Sequence, residues 1–276
     1  MTANATRIRP PLKWAGSKFR IIENILQLLP EGKRLIEPFV GSGALFLNTN
    51  YPRYLINDIN KDLISFYKTL KKGGDEFIAE CGTLFTESNN HEKAYYRFRT
   101  EFNETSDRYR KAAIFLYLNK HGYNGLCRYN SSGEHNVPFG RYRQPYFPLK
   151  ELQHFVKRSS QVRIESRDFQ SIINGAKEGD VIYCDPPYVP LSATSNFTTY
   201  SAGGFSEEDQ IRLATLAKAS ASRGVPVLIS NHCTKFTDSL YQNANAKKIV
   251  KLSVRRLISC NGNNRQNADE LLALFA

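Results

Sequence analysis

The sequence has no apolar run of the roughly 20 residues that a membrane helix needs. Its opening stretch carries Arg7 and Arg9 and no hydrophobic segment, so neither a bilayer span nor an export signal is expected. Disulfide scaffolding is equally unsupported. The five cysteines, Cys81, Cys127, Cys184, Cys233 and Cys260, are odd in number, far apart and free of any C-x-x-C pair, the pattern of a reduced, cytoplasmic chain. His91, His121, His135, His154 and His232 show no ligand spacing among themselves or beside the cysteines, so no metal site is expected. Missing too are a P-loop and a complete G-x-G-x-x-G, which argues against a nucleoside triphosphate or a dinucleotide. A nucleoside-bearing cofactor without pyrophosphate stays open.

Acidic side chains are in the minority, 26 against 38 Lys and Arg, for a net charge of +12 that favours a polyanionic partner. The excess clusters. Arg108, Arg110, Lys111, Lys120, Arg128, Arg141 and Arg143 alternate with Tyr109, Tyr117, Tyr123, Tyr129 and Tyr142, and Glu134 is the one acid between Arg108 and Arg143.

Apolar runs of strand character recur at 34–39, 54–57, 162–166, 181–184, 225–230, 247–254 and 270–275. Helical patterns lie between most of them, including 19–29, 61–71 and 206–222, the last opened by a Ser206-x-x-Asp209 cap. The expected fold is α/β: a Rossmann-like core with a mostly parallel seven-stranded sheet. About a hundred residues separate the second and third strands, far beyond an ordinary crossover. An inserted domain at 61–149 is therefore expected within a core formed by 1–60 and 150–276. Its first part has helical periodicity around Phe77, 94–102 and 112–119. Its last part, from Gly122-Tyr123-Asn124-Gly125 to Val137-Pro138-Phe139-Gly140, is patterned as a β-hairpin with long turns.

Two stretches carry chemistry. Strand one runs into Glu37-Pro38-Phe39-Val40-Gly41-Ser42-Gly43, a strand and glycine turn of the kind that opens a nucleotide cleft, and strand two ends at Asp58, where an acid can hold ribose hydroxyls. The G-x-G alone serves a tight turn as well as a ligand. Strand four ends in Asp185-Pro186-Pro187-Tyr188. Neither proline has an N–H, so the segment presents carbonyl oxygens and a carboxylate, two acceptors for the two hydrogens of a planar exocyclic amine, with Tyr188 available to stack on its ring. An isolated tetrapeptide of this kind could equally be a Pro-Pro turn. Trp14, flanked by Lys13, Ala15, Gly16 and Lys18, reads as a loop tryptophan rather than a core one, and Asp168-Phe169 after the third strand offers a polar edge and a ring face.

With Lys13 to Lys18, Pro38 to Gly43, Asp58, Asp168-Phe169 and Asp185 to Tyr188 in that order, the chain resembles the Dam-type DNA adenine methyltransferases over nearly its whole length. The resemblance implies methyl transfer from S-adenosylmethionine to the 6-amino group of adenine in double-stranded GATC, with the insertion as target-recognition domain. It places Trp14, Ala15, Gly16, Lys18, Glu37, Pro38, Phe39, Gly41, Ser42, Gly43, Asp58, Asp168, Phe169 and Asp185 at the cofactor and makes Asp185, Pro186, Pro187 and Tyr188 the catalytic motif. It implies that the hairpin reads DNA: Arg128 a guanine, Leu126 and Pro138 the thymine methyl, Tyr123 wedging into the stack, Asn124 and Arg141 holding phosphates, with Asn136 in the same segment and Lys13 at the first guanine. Arg128 as a phosphate contact is the competing assignment. The chain departs from relatives at 261–267, where Arg265 stands as the single basic residue. Methylation of cytosine, adenine methylation in RNA, and a DNA-binding regulator without catalysis are the rival functions, and nothing in the sequence requires an obligate protein partner.

Overall fold

A computed structural model describes residues 7–188, 205–255 and 267–276, with side chains described at all of these except Val254, Arg255, Asn267 and Ala268. The basic-poor run at 261–267 thus lies almost wholly outside the described residues. Seven strands, β1 (Arg34–Glu37), β2 (Arg53–Asn57), β3 (Val162–Glu165), β4 (Asp180–Cys184), β5 (Val227–His232), β6 (Lys248–Arg255) and β7 (Asn267–Phe275), form one sheet in the order β3-β2-β1-β4-β5-β7-β6. All pairings among β1 to β5 are parallel. Strand β7 enters antiparallel between β5 and β6. The sheet is doubly wound, mostly parallel as expected, with chain order reversing between β1 and β4.

The strands announce themselves as apolar runs because both faces of the sheet are covered. Alternation sends neighbouring side chains to opposite layers: Leu35, Val181, Tyr183 and Leu228 enter one core, while Ile36, Ile182, Cys184 and Ile229 enter the other. Prolines set two strand ends. Strand β1 stops at Glu37, two residues short of expectation, because Pro38 cannot donate to a ladder, and β5 begins after Pro226, whose carbonyl accepts from Ile182 N.

Eight α-helices occupy the described residues: α1 (Ile22–Leu28), α2 (Lys61–Thr83), α3 (Glu92–Glu104), α4 (Arg108–His121), α5 (Leu149–Arg158), α6 (Phe169–Asn174), α7 (Glu207–Ala221) and α8 (Lys235–Asn243). The helix expected at 19–29 is a 3-10 turn, Lys18–Ile21, followed by α1. Helix α2 outruns its expected end by a further three turns and bends at Gly74. At α7 the expected cap is a full capping box, with Ser206 and Asp209 each accepting from the other's backbone N–H. Helices α2 to α5 fill the long β2–β3 connection and share one apolar core with the sheet, in which Leu35 and Tyr54 join Tyr67, Phe102, Phe115 and Phe155.

The hairpin segment pairs more loosely than its sequence suggests. Two isolated antiparallel bridges, Gly122↔Phe139 and Tyr129↔His135, hold it, with Tyr123 N donating to Pro138 O at 2.9 Å and Asn136 N to Arg128 O at 3.1 Å. Continuous strands are interrupted by Pro138, which lacks a donor, and by the positive φ of Asn124.

Candidate active site

Chain order reverses between β1 and β4, so their crossovers leave in opposite directions and open a crevice at the carboxyl ends of these strands. A cavity of about 280 Å³ lies there. Trp14, Ala15, Gly16, Lys18, Glu37, Pro38, Phe39, Gly41, Ser42, Asp58, Asp168, Phe169 and Asp185 to Tyr188 all line it. Gly43 is the exception. It stands behind the wall, its N–H donating to Val40 O at 2.8 Å. Sequence reasoning missed Arg167, Tyr183, Phe205, Asp209 and Arg212 among the lining residues.

The glycine turn earns its glycine at Gly41, where φ is +48° and a Cβ would stand 2.9 Å from the Trp14 indole. Asp58 braces the turn: its carboxylate accepts from Gly41 N at 3.1 Å and Asn60 N at 3.0 Å. Burial pushes the Asp58 carboxyl up to about 6, against the pull of those hydrogen bonds. Glu37 is more extreme. It is 2 % exposed, its Oε1 has no hydrogen-bond partner, and burial, reinforced by the charge of Asp185, pushes it up to about 8 despite a hydrogen bond from the Phe46 backbone. Opposite lie Phe39, Phe169 and Phe205, with centroids 5.3 to 5.6 Å apart. Arg212 caps this aromatic wall, its guanidinium 4.3 Å over Phe169 and paired with Asp209 at 2.7 Å and Asp168 at 3.3 Å. Asp168 also caps α6 by accepting from Gln170 N.

At the end of β4 the Asp185 carboxylate meets Lys18 Nζ at 2.7 Å and accepts from Ser230 Oγ at 3.2 Å. Burial raises its pKa, and Lys18 works against that rise. Lys18 also donates to Gly16 O at 2.8 Å and to the Tyr188 hydroxyl. Tyr188 in turn donates to Glu270, 2.8 Å away on β7, and its ring stacks on His232 with centroids 3.6 Å apart. One ring face is thereby taken. The Pro187 carbonyl is engaged by Gln210 Nε2 at 3.0 Å, whereas among the described residues nothing donates to the buried Pro186 carbonyl. A carboxylate and a carbonyl without a donor among the described residues therefore stand on successive residues.

Beyond the cleft lies the basic segment. Lys13 packs on Gly125, where a Cβ would fall 2.2 Å from Lys13 Cβ, and its ammonium sits 3.7 Å over the Tyr142 ring and donates to Lys120 O. Tyr142 in turn accepts from Asn124 N at 2.9 Å. Lys120, one of the clustered basic residues, is 5 % exposed, and burial together with the charge of Lys13 pushes it down to about 8. Exposed Arg128 is held by Asn136, with Nε donating to Oδ1 at 2.8 Å and Nη2 to the backbone O at 3.1 Å. Tyr123 and Pro138 are exposed and Leu126 is half-buried. Arg141, also exposed, lies 3.8 Å from Glu92.

A doubly wound sheet, an acid-and-aromatic cleft at its switch point and the Asp185-Pro186-Pro187-Tyr188 turn at the end of β4 define the class of fold and site. The chain matches the D12 class N6 adenine-specific DNA methyltransferases over residues 14–256 and belongs to that family. It is 49 % identical over 264 residues to the DNA adenine methylase of Escherichia coli (strain K12), covering 96 % of this chain and 94 % of that one. The DNA adenine methylases of Serratia marcescens (49 % over 265 residues; 96 % and 97 % covered) and of Vibrio cholerae (47 % over 265 residues; 96 % and 95 % covered) are similar at full length. The protein is an adenine-specific DNA methyltransferase.

Proposed function

We propose that the enzyme takes its methyl group from S-adenosylmethionine and delivers it to the 6-amino nitrogen of a flipped adenine in double-stranded GATC. The observation that carries this reading is the pair of acceptors at Asp185 and the Pro186 carbonyl. An amine conjugated to a purine ring is a poor nucleophile, because its lone pair is delocalised. Accepting both of its hydrogens draws the nitrogen out of the ring plane and frees that pair. As the nitrogen forms its new bond it becomes cationic and sheds a proton, which the Asp185 carboxylate, held ready by burial, receives.

The cleft suits this cofactor. Glu37, with its orphaned Oε1, is fit to accept from an ammonium, Asp58 from ribose hydroxyls, and the Phe39, Phe169 and Phe205 wall to flank a purine. S-adenosylmethionine, when bound, supplies an electrophilic methyl on sulfur. Trp14, Ala15, Gly16, Lys18, Pro38, Ser42 and Asp168 complete its surroundings, with Gly43 supporting the turn.

Residues 61–149 act as the DNA-reading unit, with Arg128 on a guanine edge, braced by Asn136, and Lys13 on the first guanine. Leu126 and Pro138 meet the thymine methyl, Asn124 and Arg141 meet phosphates, and Tyr123 replaces the departing adenine in the stack. The test is product identity. After reaction with S-adenosylmethionine and a GATC duplex, digestion to nucleosides should yield N6-methyladenine; N4-methylcytosine, or methyl in RNA and not in the duplex, would overturn the reading.

A further inference from the structure

The motif Asp185-Pro186-Pro187-Tyr188 leaves one strong contact unexplained. Glu270 lies on β7, opposite His232 of β5 in the ladder, and is 9 % exposed. A carboxylate is seldom left in such a place without a specific partner. Here it takes the Tyr188 hydroxyl, with both oxygens in range at 2.8 and 3.1 Å. A hydroxyl has one hydrogen to give. Tyr188 commits it to Glu270, so its oxygen is left to accept from Lys18, and Lys18 carries its remaining hydrogens to Asp185 and Gly16 O. The direction of the chain is thus fixed from one end, running from Lys18 through Tyr188 to Glu270. Its ring is fixed as well: the carboxylate pins the hydroxyl tip while His232 backs one face.

We propose that Glu270 is a positioning residue for methyl transfer, acting through the Tyr188 hydroxyl to set the tyrosine ring and to hold the Lys18 ammonium against Asp185. The inference rests on the reading that Asp185 and Tyr188 receive the adenine. Without the carboxylate the hydroxyl hydrogen is released from Glu270, and the Tyr188 ring keeps only the Lys18 contact and the His232 stack to restrain it. Glu270 itself touches neither substrate nor cofactor in this scheme. Its effect should therefore vanish when the hydroxyl is absent.

The experiment is a double-mutant cycle with Glu270→Gln and Tyr188→Phe, both close to isosteric, with Glu270→Asp as a second variant that keeps the charge but withdraws it by one methylene. Three quantities are read: the single-turnover rate on a GATC duplex, the affinity for S-adenosylhomocysteine, and the fluorescence of 2-aminopurine at the target position. Glu270→Gln should slow transfer about tenfold, the size of one charge-assisted hydrogen bond, and brighten the aminopurine through looser stacking, with S-adenosylhomocysteine affinity kept within about twofold. Glu270→Asp should fall between the two. In the Tyr188→Phe background, Glu270→Gln should change neither rate nor fluorescence further. Effects that multiply in the double variant, or a Glu270→Gln enzyme as fast as the parent, would overturn the inference alone. A parent protein that transfers no methyl to duplex adenine would overturn the underlying reading and the inference with it.

Discussion

Glu37 makes cofactor binding depend on pH in a way that can be calculated. Its carboxyl, ordinarily near 4.5, is raised to about 8 by burial. From that value the ionised fraction is roughly 1 % at pH 6 and roughly 9 % at pH 7. If the cofactor's ammonium binds only the carboxylate, affinity should rise about tenfold between these two pH values, and binding at pH 7 should release about 0.9 proton. Asp58, raised to about 6, also ionises across this interval. Its charged fraction moves from about one half to about nine tenths, which adds a factor of only about two. Glu37→Gln separates the two groups: the variant should keep the twofold dependence and lose the tenfold one. Isothermal titration with S-adenosylhomocysteine, in buffers of different ionisation heat, reads both affinity and proton release. A wild-type affinity flat in pH, or a tenfold slope that survives in Glu37→Gln, would refute the reasoning. Stability of the ligand-free protein should move the opposite way. A carboxyl raised on folding favours the folded state fully below about pH 4.5, and that contribution is lost as pH climbs through about 8.

Arg128→Ala should cost about 1 to 3 kcal/mol of discrimination at a single base pair, seen by comparing kcat/KM on GATC with duplexes altered one position at a time; a loss equal on every duplex would reassign Arg128 to a phosphate. Tyr123→Ala should lower the 2-aminopurine signal that accompanies base extrusion, and an unchanged signal would clear Tyr123 of the wedge role. At Gly41, substitution by Ala adds the left-handed backbone cost of about 1 to 2 kcal/mol and drives a methyl into the Trp14 indole. Urea unfolding should show that loss together with weakened S-adenosylhomocysteine binding, and an unaffected variant would show that the turn is not held against Trp14.

Much of the sheet was legible because strands buried on both faces must be apolar throughout, as 181–184 and 227–229 are. The errors at the end of β1 and the start of β5 trace to single residues, Pro38 and Pro226, whose missing N–H outweighs the apolar pattern around them. The long helical connection was read from its length; its shared core with the sheet was not, since no local pattern tells which core a buried Phe will enter. Within the cleft the residues found early lie in compact motifs. Of those missed, Arg167 and Tyr183 adjoin the motifs, whereas Phe205 just ahead of α7 and Arg212 on α7 come from a remote element, as does Glu270 of β7, 82 residues after Tyr188, which reaches the Tyr188 hydroxyl from outside the cavity lining. The pairing of β5 with β7 is what delivers Glu270, and an acid at the head of an apolar strand pattern gives no sign of it. Lys120 was visible as part of the basic cluster, but its burial was not. It reads as one more charge on a helix, and only the packed structure shows its ammonium beside Lys13 and away from solvent.

The central claim is methyl transfer to one adenine in one short sequence, and the most direct measurement uses labelled S-adenosylmethionine with matched duplexes. One carries GATC, a second carries GATC with its adenines already methylated, and a third carries the same bases scrambled. Label should appear on the first duplex alone. Equal label on the scrambled duplex would contradict sequence reading by the hairpin, and label on the pre-methylated duplex would contradict the 6-amino nitrogen as the acceptor.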